Sequence, residues 1–336
     1  MKFKKLLLVS ALSAICFSQV AQANKVLKFE STNFAGEEAY EVQKQWTDGL
    51  EKASNGRLSI ELLPLNSVLK SDDLLSGVRN KIIDGAISTA AWYSGEDPGF
   101  GLIGDTLSAW SSDEDILKFY YFGGGFKVVD TIFQKYGAKL IGVSVTGAES
   151  LPSKVKIEKV DDFKGLKIRA PSGPVQELFA RLGASPVGLP GSEIYTSLEK
   201  GVIDAADFST FANNEKQGVH EIAKYPIYPG IHSSPTVHMI MNLEEYNLLS
   251  EEDKYLLTSY FKGMALDSLL KAHYEDRLAY NKAIKEGVHP IAWNKEEISK
   301  VRVQAREIWK KIADKSELGN MYYQSLIKYL ESQGDM

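Results

Sequence analysis

The chain has 336 residues, with 39 Lys or Arg against 44 Asp or Glu and a formal net charge of −5. An acidic chain is a poor binder of nucleic acid and of anionic membranes, so we exclude nucleic acid as a partner. Cys16 is its only cysteine. If this residue is removed with a leader, the mature chain has neither a disulfide nor thiol chemistry.

Residues 1–23 have the pattern of a cleavable signal peptide: three lysines, a mostly apolar stretch over 6–20 and an A-x-A cleavage site at 21–23. The residues before Cys16 are a poor lipoprotein signal, so we expect cleavage and not lipidation. We therefore predict export to the periplasm and a mature chain that begins near Asn24. Subtracting the three leader lysines from 39 leaves 36 basic residues against 44 acidic ones, a charge of −8.

The first part of the mature chain alternates between strand and helix patterns. Strands are predicted over 26–31, 58–63 and 86–89, and helices over 37–54 and 72–80. The first helix would bury the face that carries Val42, Trp46, Leu50 and Ala53. Such alternation predicts parallel strands joined by helical crossovers.

Further along, a short half-buried strand is predicted to end at Arg169, before a turn and a helix that begins near Pro174. Ligands of open α/β sheets bind beyond the carboxyl ends of strands, and a guanidinium there suits a carboxylate. A surface position for Arg169 is the alternative. A capping signature at Ser250 opens a helical pattern that runs over 250–286 and stops at Gly287.

Four segments in fixed order identify a family resemblance: SNGRL at 54–58, GVRNKIIDG at 77–85, FKGLKIRAP at 163–171 and GVIDA at 201–205. Over nearly the whole mature chain the sequence resembles the substrate-binding proteins of tripartite ATP-independent periplasmic (TRAP) transporters, the DctP-like family. It is most similar to the subgroup that binds 2-oxo acids.

The resemblance implies an α/β, two-lobed periplasmic binding protein fold, with a mixed or parallel sheet in each lobe and a long helix spanning both. We expect lobe I to comprise 24–146 and about 233–265, and lobe II to comprise 147–232 and about 266–336. The ligand cleft would lie between them, and Arg169 would pair with the ligand carboxylate.

Three candidate binding residues follow predicted strands of the first part of the chain. Asn33 could donate to a carboxylate or hydroxyl, or could serve only as a turn or N-cap residue. Trp92 and Tyr93 resemble an aromatic-rich stretch of the 2-oxo-acid-binding subgroup and could close over a small acid. Aromatic residues at a strand end also commonly pack in a core.

Glu149 and Ser172 are further candidates. Many relatives carry a second arginine near 146–149, and this chain has none there. Glu149 could instead face a hydroxyl, an amine or a bound cation, or be an ordinary solvated carboxylate. Ser172 could donate to the ligand carboxylate or cap the helix that follows it.

Asp207 stands where the resembled subgroup holds a metal ion beside its substrate, so we consider Na⁺ or Ca²⁺ at Asp207. Phe208 would be a wall against the carbon skeleton of the ligand, and Phe211 either a second wall or part of the core. His232 could donate its imidazole to a polar ligand, although a loop histidine is often only solvated.

Motifs of the common enzyme classes are absent from the sequence, including metal-ligand histidine spacing, a nucleophile elbow and a phosphate-binding loop. We expect no enzymatic activity. The predicted function is an extracytoplasmic receptor that binds a small organic acid, a 2-oxo or 2-hydroxy monocarboxylate by preference, and delivers it to TRAP membrane permease subunits.

Alternatives of ligand and of class stay open. The ligand could be a sulfonate, an aromatic acid or a sugar acid, or the protein could be a ligand sensor that partners a membrane kinase. Aromatic residues of the 250–286 helix could pair two copies into a homodimer or pack internally; these are Tyr255, Tyr260, Phe261 and Tyr274.

Overall fold

The computed structural model describes residues 24–171 and 173–334. The expected leader and Ser172 lie outside these residues. The strands are β1 (Lys25–Ser31), β2 (Leu58–Leu63), β3 (Gly85–Thr89), β4 (Ala138–Val145), β5 (Lys167–Arg169), β6 (Ser185–Val187), β7 (Ala205–Ala206) and β8 (Thr236–Asn242).

The helices are α1 (Glu38–Ala53), α2 (Leu74–Arg79), α3 (Gly99–Gly104), α4 (Asp113–Tyr121), α5 (Gly125–Lys135), α6 (Pro174–Arg181), α7 (Ile194–Glu199), α8 (Phe211–Lys216), α9 (Val219–Ile222), α10 (Leu243–Asn247), α11 (Glu251–Lys285), α12 (Lys295–Ala313) and α13 (Glu317–Gln333). The predicted strands and helices match these elements closely.

The larger sheet is mixed and has the strand order β2-β1-β3-β8-β4. Strands β1, β2 and β3 are parallel, whereas β8 runs antiparallel to both β3 and β4. Strands β3, β4 and β8 are almost wholly buried, including polar residues such as Ser88 and His238. This confirms the expected mixed sheet.

The smaller sheet has three parallel strands in the order β6-β5-β7. Its central strand β5 buries Ile168 and leaves Lys167 exposed. Because the strands are parallel, their carboxyl ends meet at one edge, and Arg169 stands at that edge.

Two chain segments connect the sheets, and we call them the crossovers. The first crossover, 146–150, leaves β4, and the second, 228–235, leads back into β8. They run side by side, since the N–H of Glu149 donates to Ser233 O at 3.0 Å, and the flanking Leu151 and Ile227 exchange main-chain hydrogen bonds of 3.2 and 3.0 Å. The two sheets are therefore connected by two adjacent chain segments.

The long helix α11 has 35 residues and packs against β4 of the larger sheet and against α8, the helix that follows β7 of the smaller sheet. Ser250 caps its start by accepting from the main-chain N–H of Asp253, and Gly287 follows its end with φ of +80°. Phe261 stacks on Phe29 of β1, whereas Asp276 accepts from the N–H of Ala212 in α8. The predicted spanning helix is confirmed.

Some aromatic residues of α11 pack internally and others are exposed, as the two alternatives of internal packing and pairing of two copies require. Phe261 is buried, and Tyr260 packs edge-on against Trp46 of α1. Tyr255 and Tyr274 are 76% and 60% exposed. Pairing of two copies through this helix stays a prediction.

The predicted buried face of α1 is only partly right, because Leu50 is buried, Val42 and Trp46 are half-buried, and Ala53 is exposed. The helix buries Tyr40, Gln43, Thr47 and Leu50. Gln43 is drawn inward because its Oε1 accepts from Ser31 Oγ at 2.6 Å. A buried polar pair thus sets a face that an apolar pattern alone cannot predict.

The C-terminal helix α13 packs beside the larger sheet. Gly319 contacts Gly99 of α3, and the hydroxyl of Tyr322 lies 2.8 Å from Thr106 Oγ1. The lobe boundaries stay a prediction, and this packing favours moving 317–333 from lobe II to lobe I. In the described part of the chain, each helix is too short or too polar to cross a membrane.

Candidate functional site

Arg169 lies at the end of β5 and is half-buried. Its Nε donates to Leu189 O at 3.0 Å, and its Nη1 donates to Asp207 O at 2.6 Å. A guanidinium has five N–H donors, so two are used by main-chain carbonyls. The other three meet no acceptor among the described residues and are available to a ligand.

Phe208 lies beside this guanidinium. The ring centroid is 5.8 Å from Arg169 Cζ, within the range of a cation–π contact. The side chain is half-buried and packs on the small apolar cluster around α7 and β7. Arg169 and Phe208 therefore form one wall, which we call the arginine wall.

Asp207, Glu149 and His232 meet next to this wall. His232 Nε2 lies 2.5 Å from Asp207 Oδ1, and the two side chains are only 2% and 1% exposed. Ligand atoms of Glu149, Asp207 and His232 all lie within 4.8 Å of one another. The structure thus brings together five of the predicted site residues: Arg169, Phe208, Asp207, Glu149 and His232.

A third carboxylate, Asp105, joins this group and was missed by the sequence analysis. It follows α3, and its Oδ2 accepts from Ser233 Oγ at 2.7 Å on the second crossover. No motif or periodicity marks Asp105, because a contact across 128 residues brings it here. We call Asp105, Glu149 and Asp207 the carboxylate cluster.

Burial shifts the titration of these groups toward their neutral forms. It raises the pKa of Asp207 to about 6 and that of Asp105 to about 7. Burial and the nearby Asp207 carboxylate raise the pKa of Glu149 well above its usual range. Burial also lowers the pKa of His232. The carboxylates of the cluster therefore tend to bind protons unless a cation is bound among them.

The donor set suits a hard cation. Ca²⁺ and Na⁺ prefer oxygen ligands, and Glu149 and Asp207 offer carboxylate oxygens within reach of one another. His232 is better regarded as a partner of Asp207 than as a ligand, because its Nε2 is already hydrogen-bonded to that carboxylate.

Tyr93 lies away from this group. It is 1% exposed, bonds the hydroxyl of Ser88 and packs edge-on against Phe100 and Phe133. The chain enters a 3₁₀ turn directly after β3, and this turn directs Tyr93 into the core. In this structure Tyr93 is a core residue.

Asn33 and Trp92 are not joined to the cluster either. Trp92 is half-buried against the main core. Asn33 follows β1, and its Nδ2 is buried without a hydrogen-bond partner within the described residues. In that same part of the chain, no hydrogen bond or ring contact links Asn33 or Trp92 to Arg169. Asn33 thus retains a side-chain N–H donor that could bind a ligand. The role of Ser172 stays a prediction.

The sequence and the fold were compared with known proteins. The family model "DctP: Bacterial extracellular solute-binding protein, family 7" matches residues 31–316. A monocarboxylate 2-oxoacid-binding periplasmic protein of Nostoc sp. is 30% identical over 209 residues, which cover 59% of this chain and 55% of that relative.

Solved structures share the fold. A TRAP periplasmic solute-binding protein from Rhodobacter sphaeroides, in an apo open structure, is 36% identical with a TM-score of 0.86, covering 93% of this chain and 99% of that one. Another, from Colwellia psychrerythraea with bound calcium and pyruvate, has a TM-score of 0.77 at 24% identity, covering 92% and 95%. Since the family match and the Rhodobacter structure each span most of the sequence, this chain belongs to family 7 of the bacterial extracellular solute-binding proteins, the periplasmic receptors that deliver small organic acids to TRAP permeases.

Proposed function

We propose that this receptor captures a small monocarboxylate with a 2-oxo or 2-hydroxy group. The observation that carries the proposal is the half-buried guanidinium of Arg169, which keeps spare donors beside the carboxylate cluster of buried Asp207 and half-buried Asp105 and Glu149. A planar guanidinium suits a ligand carboxylate, and bidentate pairing also fixes its orientation. The ring of Phe208 would cover the carbon skeleton of the ligand.

The carboxylate cluster would recognise the second functional group of the ligand. An ionised carboxylate only accepts hydrogen bonds, and so does the oxygen of a 2-oxo group. A 2-oxo acid therefore needs a cation or a proton between its oxygen and the cluster. A 2-hydroxy acid can donate to the cluster directly.

A bound cation would thus favour 2-oxo acids. Glu149 and Asp207 would hold Na⁺ or Ca²⁺, which would supply positive charge for oxygen atoms of the ligand. The Nostoc and Colwellia relatives, named for a 2-oxo acid and solved with calcium and pyruvate, support this choice. Without a bound cation, 2-hydroxy acids would bind better than 2-oxo acids.

Ligand binding would change the conformation of the receptor without making or breaking covalent bonds. A ligand that contacts both lobes stabilises the closed state over the open one, and the permease would recognise that state. We propose that the chain has no catalytic activity, as expected of a solute receptor. We also propose export through the 1–23 leader, with cleavage before Asn24.

Thermal unfolding of the mature protein against a panel of acids tests the proposal. The panel holds 2-oxo, 2-hydroxy, sugar, aromatic and sulfonic acids, each with and without Ca²⁺. Because a ligand that binds only the folded state raises the Tm by mass action, we expect the largest shift for a 2-oxo acid with Ca²⁺. A shift confined to the sulfonic, aromatic or sugar acids would contradict the proposed ligand class.

A further inference from the structure

We propose that Asp113 is the residue that positions the carboxylate side of the binding site, by holding both crossovers against α4 and α11. The inference rests on the proposed function insofar as it takes Glu149 to hold the cation beside the ligand and His232 to hold Asp207 in place by its hydrogen bond. Asp113 itself would not contact the ligand. It would act through the backbone on which those two side chains are mounted.

The crossovers carry much of the site. Glu149 belongs to the first crossover, and His232 and Ser233 belong to the second. The two segments are in direct contact, since the N–H of Glu149 donates to Ser233 O at 3.0 Å. At Gly230 a Cβ would lie 1.7 Å from Glu149 O, so only glycine permits this close approach. Their spacing therefore fixes where the carboxylates lie.

A single carboxylate ties three elements at this point. Asp113 Oδ2 accepts from the N–H of Ala148 at 3.1 Å and from His273 Nε2 of α11 at 3.0 Å. Its Oδ1 accepts from Ser234 Oγ at 3.1 Å. Ala148 directly precedes Glu149, and Ser234 directly follows Ser233. One bond in each crossover is thus adjacent to a residue of the site.

The position of Asp113 makes these bonds strong. The side chain is 6% exposed and lies in the first turn of α4, where the helix N-terminus favours a negative charge. Hydrogen bonds to a buried, charged acceptor are stronger than neutral ones. Removing the carboxylate would leave the partly buried N–H of Ala148 without this acceptor, and a partly buried donor left unpaired is destabilising.

Loss of Asp113 should therefore loosen the crossovers more than the rest of the fold. Amide hydrogen exchange, followed by mass spectrometry on the mature protein without ligand, reports such local opening segment by segment. In Asp113→Ala we expect exchange at 146–150 and 231–235 to be about tenfold faster or more, because a charge-assisted hydrogen bond is lost.

Asp115→Ala is the matched control. Asp115 lies in the same turn of α4, but its carboxylate pairs with Lys118 at 2.8 Å and not with a crossover. We expect no change in exchange of the crossovers in this variant. Unchanged exchange in Asp113→Ala, or an equal increase in Asp115→Ala, would overturn the proposal.

A second variant keeps the test decisive if Asp113→Ala does not fold. Ser234→Ala removes only the hydroxyl that donates to Asp113 Oδ1, and faster exchange over 231–235 is again expected. Unchanged exchange there would count against the proposal.

Calorimetry with the acid selected by the thermal panel tests the positioning role. We expect about tenfold weaker binding by Asp113→Ala, or by Ser234→Ala where the former does not fold, and unchanged binding by Asp115→Ala. Faster exchange with unchanged affinity would overturn the positioning role. If none of the acids binds, the proposed ligand class fails, while the exchange result still decides whether Asp113 holds the crossovers.

Discussion

The arginine wall and the carboxylate cluster differ in how they hold their charge. Arg169 is fixed by two main-chain carbonyls, and a guanidinium is a permanent cation in proteins. The cluster is held by contacts between side chains, and burial raises the pKa of Asp105 and Asp207 to about 7 and about 6. The first wall is thus a constant anion receptor, whereas the second changes charge with protons or cations.

This difference assigns separate tasks to the two sides. The arginine wall would select any small acid by its carboxylate. The cluster would discriminate among acids by the group next to that carboxylate. Changes to the arginine wall should weaken the binding of all acids alike. Changes to the carboxylate cluster should alter which acid is bound most tightly.

The largest effect is expected for Arg169→Lys. Lysine has one point charge in place of the planar fork and cannot replace the bonds to Leu189 O and Asp207 O together. We expect binding of every acid to weaken by about 2 kcal/mol or more, roughly 30-fold. Calorimetry measures this, with Arg181→Lys as control because Arg181 forms its ion pair with Glu177 on α6. Equal affinity in Arg169→Lys would refute the assignment.

The next largest effect is expected for Asp207→Asn, in which the effect of Ca²⁺ on thermal stability should be lost. The amide removes a negative charge from the cluster but keeps an oxygen that can accept from His232. We expect the rise in Tm caused by Ca²⁺ in the parent protein to disappear. The control is Asp204→Asn, because the carboxylate of Asp204 accepts from the N–H of Lys167 at 2.9 Å and, among the described residues, has no hydrogen bond to the cluster. No effect of Ca²⁺ on the parent, or an unchanged effect in Asp207→Asn, would argue against the cation.

The pH dependence of stability tests the raised pKa values. In the folded protein the pKa of Asp207 is about 6, above the value of about 3.9 expected when unfolded. Between these values the folded state binds more protons, so this contribution is complete below about pH 4 and is lost as the pH rises through 6. Without ligand or Ca²⁺, we expect the cluster to lower the free energy of unfolding on going from pH 4.5 to 7.5.

Denaturant unfolding at several pH values measures this contribution, and comparison with Asp207→Asn isolates it from other titrating groups. The parent should lose more stability with rising pH than the variant does. An identical pH dependence in the two proteins would mean that Asp207 titrates normally.

The sequence predicted elements where local rules dominate. The ends of α11 follow from Ser250 and Gly287, because a capping side chain and a residue with positive φ act on their own neighbours. Arg169 was found from its position at a strand end. The two-lobed fold followed from family motifs spread along the chain.

Long-range contacts account for what could not be predicted. Asp105 joins the site through Ser233, and the buried face of α1 depends on the bond between Gln43 and Ser31. Tyr93 was expected near the ligand because its stretch resembles that of the 2-oxo-acid-binding subgroup, but a single 3₁₀ turn directs its ring into the core. The direction of a side chain after a strand depends on packing that periodicity does not encode.

The smallest effect is expected for Phe208→Leu, which tests whether the arginine wall includes the ring. Leucine keeps an apolar side chain but removes the π face that lies 5.8 Å from Arg169 Cζ. A partly exposed cation–π contact contributes about 0.5–1 kcal/mol, so we expect affinity for every acid to fall about two- to fivefold without a change in Ca²⁺ dependence.

Phe211→Leu is the matched control, because Phe211 is fully buried against His220 and Tyr228. This control should lower the Tm through a core cavity and leave affinity unchanged. The reverse result, with affinity sensitive to Phe211 and not to Phe208, would place the aromatic wall on α8 and separate it from the guanidinium.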